Sequence, residues 1–258
     1  MAQNVGSGGE EPVEQPGAAA HAADDGKPGN RGFGGWLKEV GTIIVVALLL
    51  SFLIKTFLFR AFFIPSGSME QTLEIDDRIF VNLLVPEPMD LERGDVVVFK
   101  DTQGWLPAAV EQPAPNPVRQ ALTFVGLLPD ESQQHLVKRV IGTAGDHVVC
   151  CSANGNITVN GEELEEPYLY PGAVPSETPF DVVVPEGKVC VMGDHRNASA
   201  DSREHQAGPG AGVVDVDDIE GRATVVAWPL SRIGGVDSYP EVFKDVPEPD
   251  TAGTDGAK

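Results

Sequence analysis

Basic side chains are scarce in this chain of 258 residues, which holds 18 Lys and Arg against 39 Asp and Glu and has a formal net charge of -21 at pH 7. Binding to nucleic acid depends on clusters of Lys and Arg that neutralise phosphates, and the sequence has no such cluster. The composition therefore argues against a nucleic-acid-binding protein and indicates an acidic, well-solvated surface.

Cysteine is nearly absent as well, since the chain has only Cys150, Cys151 and Cys190. An odd number cannot form a complete disulfide framework. Cys150 and Cys151 are neighbours in a strand-like run, where successive side chains point to opposite faces, so at most one of them could reach Cys190. A bridge from either residue to Cys190 is compatible with an oxidising compartment, but packed free thiols are the favoured interpretation.

Histidine is rare, and most of the residues are scattered along the chain without the spacing of metal ligands: His21, His135, His147 and His205. We therefore expect no metal ion, and no motif in the sequence predicts a cofactor.

The chain has only one long apolar run, from Val40 to Ile54. That run is short for a bilayer, which requires roughly 20 residues. Trp36 and Leu37 before the run and residues 56–59 after it extend the apolar length, provided that the Lys55 ammonium reaches the membrane interface.

Two other interpretations of the apolar run are weaker. A cleaved signal peptide would need small residues after its apolar core, but bulky residues follow from Phe57 to Phe63. A core helix of a soluble domain would show a polar stripe, and this run has none. We therefore predict an uncleaved membrane anchor over residues 35–60. Three basic residues precede the apolar centre and two follow it, which gives only a faint indication of orientation.

Both ends of the chain have a composition that does not favour a packed core. Residues 1–34 are rich in Gly, Ala, Pro and acidic residues and have no apolar period, which predicts a disordered tail. Residues 241–258 are again rich in Pro, Gly and acidic residues, and we expect a second loose, acidic tail there.

Residues 61–240 contain short β-type runs separated by Gly, Pro, Asn and Asp, which predicts a mainly β domain built on an antiparallel sheet. The Asn154-Gly155 pair is typical of a hairpin turn. We expect a variable, Pro-rich insert over about 102–134, with an apolar stretch at 118–128, and a β-hairpin insertion over about 147–186. The predicted strands are 78–82, 95–99, 136–141, 147–151, 157–160, 188–192 and 223–227.

Two residues far apart in the sequence suggest a chemistry. Ser68 lies in the run IPSGSM at residues 64–69, a few residues after the anchor, and a serine hydroxyl needs a nearby base to become a nucleophile. Lys138 lies in an apolar run, where alternation places it on the same face as Leu136 and Val140. Burial there would lower the pKa of the lysine and allow it to accept a proton. A serine held near a membrane and a lysine in an apolar strand indicate a Ser/Lys hydrolase.

The same segments have plainer interpretations. Ser-Gly-Ser is by itself typical of a flexible turn, and a lysine at the edge of a strand can extend its amine into water. Neither segment alone decides between structure and catalysis.

These runs and the segment GDHRNASADSR at residues 193–203 together resemble the bacterial type I signal peptidase family, membrane-bound serine proteases that cut signal peptides from exported proteins. The three motifs match in order and in spacing, and the resemblance covers about residues 37–229. It implies a Ser/Lys dyad of Ser68 and Lys138 that acts through an acyl-enzyme. It also implies a cytoplasmic N-terminus and a catalytic domain on the outer face of the membrane.

The resemblance further implies roles for residues around the dyad. The Ser66 hydroxyl and the Ser68 backbone N–H would bind the oxyanion, and Ser199 would hydrogen-bond the lysine amine and orient its lone pair. Four residues would support the site structurally: Gly193 and Asp194 at its floor, and Asp201 and Arg203 as an ion pair.

The implied partners are preproteins with signal peptides, emerging from the export machinery, and membrane lipid. An extended substrate would add as a strand beside Ile64-Pro65 and the strand that ends near Val137. Ile64, Met69, Leu73 and Val137 would form shallow apolar pockets that admit alanine and exclude large side chains. Phe62 and Phe63 either enter the lipid interface or pack against the domain.

Several alternatives to the dyad remain. His195 stands where family members commonly carry asparagine, which would allow a Ser/His mechanism. Self-cleaving Ser/Lys repressor-type proteases share a related β-rich core, but they are cytoplasmic and the anchor argues against them. A penicillin-binding or β-lactamase protein requires Ser-x-x-Lys, and Ser68 is followed by Met-Glu-Gln. A membrane-tethered module that binds preproteins without cutting them is the non-enzymatic alternative.

Overall fold

An apolar helix begins the part of the chain that is described in the computed structural model, which covers residues 33–106 and 134–249. Helix α1 spans Phe33–Phe57, and within it Gly34–Ile54 forms a stretch of 21 residues with a mean hydropathy of 2.2. That length and composition are sufficient to cross a bilayer. Residues 1–32 and the apolar stretch 118–128 lie outside the described residues, so the predictions made for them remain predictions.

The remaining elements are mostly strands, which confirms the predicted mainly β, antiparallel class. In chain order they are β1 (Phe59–Phe63), β2 (Arg78–Asn82), β3 (Val96–Lys100), β4 (His135–Gly142), β5 (His147–Cys150), β6 (Ile157–Val159), β7 (Glu162–Glu163), β8 (Phe180–Val183), β9 (Lys188–Met192), β10 (Val214–Asp215), β11 (Ile219–Trp228) and β12 (Gly234–Gly235). Short 3₁₀ turns occupy Gly67–Met69, Arg196–Ala198, Pro209–Gly212, Val216–Asp218 and Leu230–Arg232, and helix α2 spans Pro240–Phe243.

The strands form two antiparallel sheets. The larger sheet has the order β1-β2-β11-β3-β4-β9-β10, with β12 paired to β11, and the smaller has the order β7-β6-β5-β8. All seven predicted strands are present within a few residues of their expected ends. The predicted hairpin insertion at 147–186 corresponds to the smaller sheet, where β5 and β6 pair across the Asn154-Gly155 turn and β8 adds to the other side of β5.

The predicted end of the anchor differs from the structure. The helix ends at Phe57, and β1 begins at Phe59 instead of the anchor continuing to residue 60. Aromatic side chains suit a pleated sheet surface, and β1 pairs with β2 from Phe59 opposite Asn82 to Phe63 opposite Arg78. The apolar run therefore continues from the helix into an edge strand of the larger sheet.

The acidic tail was predicted to be loose from residue 241, and the structure differs there. Phe243 and Val246 are each only 7 % exposed and pack into the cluster that holds Ile141 and Val148. Val242 packs against the same cluster, so three apolar side chains fix this segment to the domain, although the acidic and Pro-rich composition of the segment predicted a loose tail.

The expectation of packed free thiols is correct for Cys190 and wrong for the other two cysteines. Cys150 and Cys151 form a disulfide with each other, and Cys190 is a buried free thiol. Alternation in a regular strand would have separated the two neighbours, but β5 ends at Cys150, so Cys151 lies outside the strand. Neither residue is therefore available to pair with Cys190.

Strand β4 is paired differently along its two edges. Its residues from His135 to Arg139 pair with β3, whereas β9 pairs only with the second half, from Arg139 to Gly142. Within the described residues, β9 does not pair with Leu136 to Lys138 on the edge of β4 that faces away from β3.

Candidate active site

Ser68 lies in a tight turn held by apolar side chains. Residues Gly67–Met69 form a 3₁₀ turn, and Ser66 just before it is extended. Met69 and Leu73 are 1 % and 0 % exposed, and the Leu73 N–H donates to the Met69 carbonyl at 2.7 Å. The apolar residues that follow Ser68 therefore anchor the turn in the core and fix the place of the hydroxyl.

Lys138 reaches Ser68 from the middle of β4. Its Nζ lies 2.7 Å from the Ser68 Oγ and also donates to its neighbour's carbonyl, Val137 O, at 3.0 Å. The lysine is 2 % exposed, and this burial lowers the pKa of its amine from 10.5 to about 8, against the opposing effect of the Asp201 and Asp194 carboxylates. A buried amine in contact with a serine hydroxyl has the environment that a general base requires.

The segment 193–203 packs directly against the nucleophile turn. Gly193 has no room for a side chain, because a Cβ there would overlap the Ser68 carbonyl oxygen and the side chain of Ser199. The His195 backbone N–H donates to the same Ser68 carbonyl at 3.1 Å. Close backbone approach therefore explains why glycine begins this segment.

An ion pair braces the segment. Arg203 Nε and Nη2 each lie 2.8 Å from an oxygen of Asp201, which also accepts the Gly193 backbone N–H at 3.0 Å. Burial by itself would raise the pKa of the Asp201 carboxyl, but the hydrogen bonds and charge of Arg203 together with the Gly193 amide hold it below its ordinary value. Asp201 therefore remains ionised inside the domain.

Asp194 forms a second buried ion pair, which the sequence did not predict. Arg139 Nε and Nη2 lie 2.9 and 2.7 Å from its two carboxylate oxygens, and both side chains are fully buried. The guanidinium also lies over the Tyr168 ring, 4.2 Å from its centroid. A buried arginine needs a buried acceptor, so the position of Arg139 in an apolar strand could have predicted a carboxylate partner.

The predicted hydrogen bond between Ser199 and the lysine amine is not formed in this structure. The Ser199 hydroxyl is buried beside Gly193 and close to the Asp201 carboxylate, whose pKa it helps to lower. The Lys138 amine donates instead to the Val137 carbonyl. Ser199 lies at the site, but its role as an orienting group stays a prediction.

His195 does not contact the Ser68 side chain through a hydrogen bond. Its Nδ1 lies 2.9 Å from the Glu70 carboxylate, and its ring stacks on Tyr170 at 3.9 Å between centroids. A partner carboxylate for the histidine therefore exists, although none was evident from the sequence. The imidazole is directed to Glu70, which favours Lys138 as the base.

The predicted substrate-contacting residues lie together. Ile64, Met69 and Leu73 belong to one buried cluster, against which Val137 packs, and Pro65 is exposed. Leu73 is 0 % exposed, so its side chain is not accessible to a substrate in this structure. In the described part of the chain, no three His, Cys, Asp or Glu side chains converge in the manner of metal ligands.

Comparison with known proteins gives consistent matches. Residues 37–228 match the family described as signal peptidase, peptidase S26. The chain is 38% identical over 232 residues to a probable signal peptidase I of Mycobacterium leprae, a match that covers 78% of this chain and 80% of that protein. It is 38% identical over 242 residues to signal peptidase I of Mycobacterium tuberculosis, with 85% and 81% covered. It is 33% identical over 206 residues to signal peptidase I P of Bacillus subtilis subsp. natto, with 77% and 90% covered.

Proposed function

Because the chain belongs to the peptidase S26 family of signal peptidases, and is thus a membrane-anchored serine endopeptidase that removes signal peptides, we propose that it works through a dyad of Ser68 and Lys138. The observation that carries this proposal is the distance of 2.7 Å between the buried Lys138 amine and the Ser68 hydroxyl. In their neutral forms, these two groups are a nucleophile and a base within hydrogen-bond reach.

The reaction proceeds in two steps. Neutral Lys138 takes the hydroxyl proton as Ser68 Oγ bonds to the carbonyl carbon at the cleavage site. The tetrahedral intermediate then collapses, the peptide C–N bond breaks, and the ammonium of Lys138 returns the proton to the leaving amine. Water, deprotonated by the same lysine, then bonds to the acyl carbon. The ester C–Oγ bond breaks, the Lys138 ammonium returns the proton to Ser68 Oγ, and the signal peptide leaves.

Two donors near Ser68 would stabilise the oxyanion of each intermediate. We assign this role to the Ser68 backbone N–H and the Ser66 hydroxyl. Ser66 is exposed and extended at the start of the turn, and its hydroxyl is on the same short turn as the nucleophile. Donors held in place before the reaction lower the barrier because they need not reorganise as charge develops.

The edge of β4 that faces away from β3 supports a binding mode for the substrate. Among the described residues, β9 does not pair with the backbone from Leu136 to Lys138 on the side away from β3. Phe62, at the end of β1, lies with its ring centroid 5.1 Å from that of His135. The chain leaving β1 at Ile64-Pro65 and the start of β4 are therefore close enough to receive an extended signal peptide as an added strand.

Small residues at the end of the signal peptide fit the wall of this groove. Ile64 and Met69 are nearly fully buried, and Val137 is only partly exposed beside them. Side chains packed this closely leave shallow depressions, which admit alanine and exclude larger groups.

An exposed apolar face of the larger sheet supports contact with lipid. Phe80 lies opposite Ala61 in β1 and opposite Val225 in β11, so alternate residues of three strands share one face. On the other face, Ile79 and Val81 are fully buried. Exposed apolar side chains on this face and the turn after it are Phe59, Phe63, Phe80, Val225, Trp228, Leu230 and Ile233. Patches of this kind mark membrane or protein contacts, and β1 follows the membrane helix after one residue.

We propose that the N-terminus is cytoplasmic and the peptidase domain extracytoplasmic, so that the domain meets preproteins as they leave the export machinery. Protease added to intact spheroplasts should remove an epitope placed after residue 258 and leave one placed before residue 1. The reverse pattern would show the opposite orientation.

The dyad is tested by cleavage of a preprotein with detergent extracts that contain the full chain, Ser68→Ala or Lys138→Ala, with N-terminal sequencing of the product. We expect the unaltered chain to cut after a small residue and both variants to be inactive. Lys244→Ala removes an exposed lysine that pairs with the exposed Asp245 and should cut normally.

Two results would replace the dyad with another mechanism. Cleavage by Lys138→Ala but not by His195→Ala would make the histidine the base. Binding of the preprotein without cleavage by any form would make the chain a tethered receptor.

A further inference from the structure

His195 holds the nucleophile segment at two points. Its backbone N–H donates to the Ser68 carbonyl at 3.1 Å, and its Nδ1 lies 2.9 Å from Glu70 Oε2. An ionised carboxylate only accepts hydrogen bonds, so the imidazole donates from Nδ1. His195 therefore hydrogen-bonds both to Ser68 and to Glu70, which lies two residues further along the chain.

The Glu70 carboxylate lies against the turn that presents Ser68. A Cβ built on Gly67 would come 2.8 Å from the Glu70 carboxyl carbon, so the side chain folds back over the α-carbon of Gly67. The Glu70 backbone N–H also donates to the Gly67 carbonyl at 3.1 Å. The peptide between Gly67 and Ser68 carries the N–H that we propose as an oxyanion donor, and Glu70 packs at its edge.

The imidazole is itself fixed from the opposite side. Tyr170 stacks on it with an interplanar angle of 14°, and the Tyr170 backbone N–H donates to the Asp194 carbonyl at 3.1 Å. Asp194 is held in turn by the buried Arg139. A rigid chain of contacts therefore runs from the core of the larger sheet through His195 to Gly67.

We propose that Glu70 and His195 are positioning residues for the nucleophile turn. The imidazole N–H holds the Glu70 carboxylate against Gly67 and thereby fixes the direction of the Ser68 backbone N–H toward the developing oxyanion. This inference rests on the proposed role of Ser68. If the Ser68 N–H points toward the oxyanion only when the Glu70–His195 hydrogen bond is present, loss of that bond should lower the rate of acylation more than it weakens substrate binding.

The test separates the hydrogen bond from the stacking. His195→Phe keeps a ring for Tyr170 and loses the donor, whereas His195→Asn keeps an N–H donor in place of Nδ1 and loses the ring. With a peptide that spans a preprotein cleavage site, we expect His195→Phe to lower kcat about tenfold with KM within about twofold, the size of coupling usual for contacting groups. His195→Asn should retain most of the kcat of the unaltered chain.

A second variant, at Glu70, tests the same hydrogen bond even if His195→Phe fails to fold. Glu70→Ala should lower kcat as His195→Phe does, and the double variant should lose no more than either single one. His147→Phe is the matched control, because His147 forms an exposed pair with Asp181 on the smaller sheet and should leave kcat unchanged.

Three results would overturn the inference. They are a normal kcat in both Glu70→Ala and His195→Phe, an equal loss in His195→Asn and His195→Phe, or an effect confined to KM. Activity in Ser68→Ala, measured in the same series, would instead remove the proposed nucleophile on which the inference rests.

Discussion

The amine of Lys138 lies 2.7 Å from the hydroxyl of Ser68, although 70 residues separate them along the chain. The lysine is fixed by its strand, which pairs with β3 on one side, and the serine by a turn anchored through Met69 and Leu73. Two independently stabilised elements thus meet at one buried contact, and the contact is rigid without a third residue between them.

The first prediction concerns the dependence of cleavage on pH. Burial lowers the pKa of the Lys138 amine to about 8, and only the neutral amine can take the serine proton. We therefore expect kcat/KM to rise about tenfold per pH unit below pH 8 and to level off above it. Initial rates between pH 6 and pH 10 on one peptide would measure this. A profile that levels off near pH 6.5 would indicate a histidine base.

The second prediction concerns stability. A fall of the Lys138 pKa from 10.5 to about 8 means that its buried charge costs about 3 kcal/mol of folding free energy. Lys138→Met replaces the amine with an apolar side chain of similar length. We expect this inactive variant to unfold at a higher temperature at pH 7.

The stability cost of the buried Lys138 charge depends on pH. Below about pH 8 the lysine is charged in both the folded and the unfolded chain, so the full cost is present. Between pH 8 and 10.5 the unfolded chain holds a proton that the folded chain has lost, so the native protein gains stability as the pH rises. The advantage of Lys138→Met should therefore shrink across this window. Thermal unfolding of both proteins at pH 7 and pH 10 would measure it, and an equal difference at both values would contradict it.

Alternation and turn residues were sufficient to predict much of the fold. The strand predicted at 78–82 matches β2, and the one at 188–192 matches β9, because both are short β-branched runs between clear turn residues. The strands that were missed are short or atypical. β7, β10 and β12 have two residues each, β8 has four, and β1 was concealed by the apolar helix before it.

The resemblance to signal peptidases rests on contiguous motifs that contain Ser68, Lys138 and the 193–203 segment. The structure brings these three parts of the chain together. The pairs Arg139–Asp194 and Glu70–His195 depend on long-range packing, which local patterns do not encode. The packing of Phe243 escaped prediction for the same reason.

The third prediction tests the oxyanion donor. Ser66→Ala removes a hydroxyl and leaves the turn intact, because Ser66 is exposed and its side chain caps nothing. Loss of one such donor usually lowers kcat by about 10²–10³. Ser66→Thr keeps the hydroxyl and should retain most of the activity. Steady-state kinetics on one peptide would compare the two, and equal activity in both would exclude Ser66 from this role.

The last prediction concerns the buried pair beneath the site. Arg139 donates to both oxygens of Asp194 and, through Nη1, to the carbonyls of Gly94 and Asp237 at 2.7 and 2.9 Å. Arg139→Met would leave a buried carboxylate and two carbonyls without these donors. Removing one partner of a buried pair costs about 3–5 kcal/mol, much more than the pair itself contributes.

Adding Asp194→Asn to Arg139→Met should recover part of this loss, because the buried negative charge is then removed. Arg60→Met breaks an ion pair with Glu220 in which the arginine is half exposed, and it should cost at most about 1 kcal/mol. Urea unfolding of the four proteins in detergent would give the free energies. If the double variant were as unstable as Arg139→Met alone, the loss would come from the unpaired carbonyls and the missing cation over Tyr168, and the Asp194 charge would not be its cause.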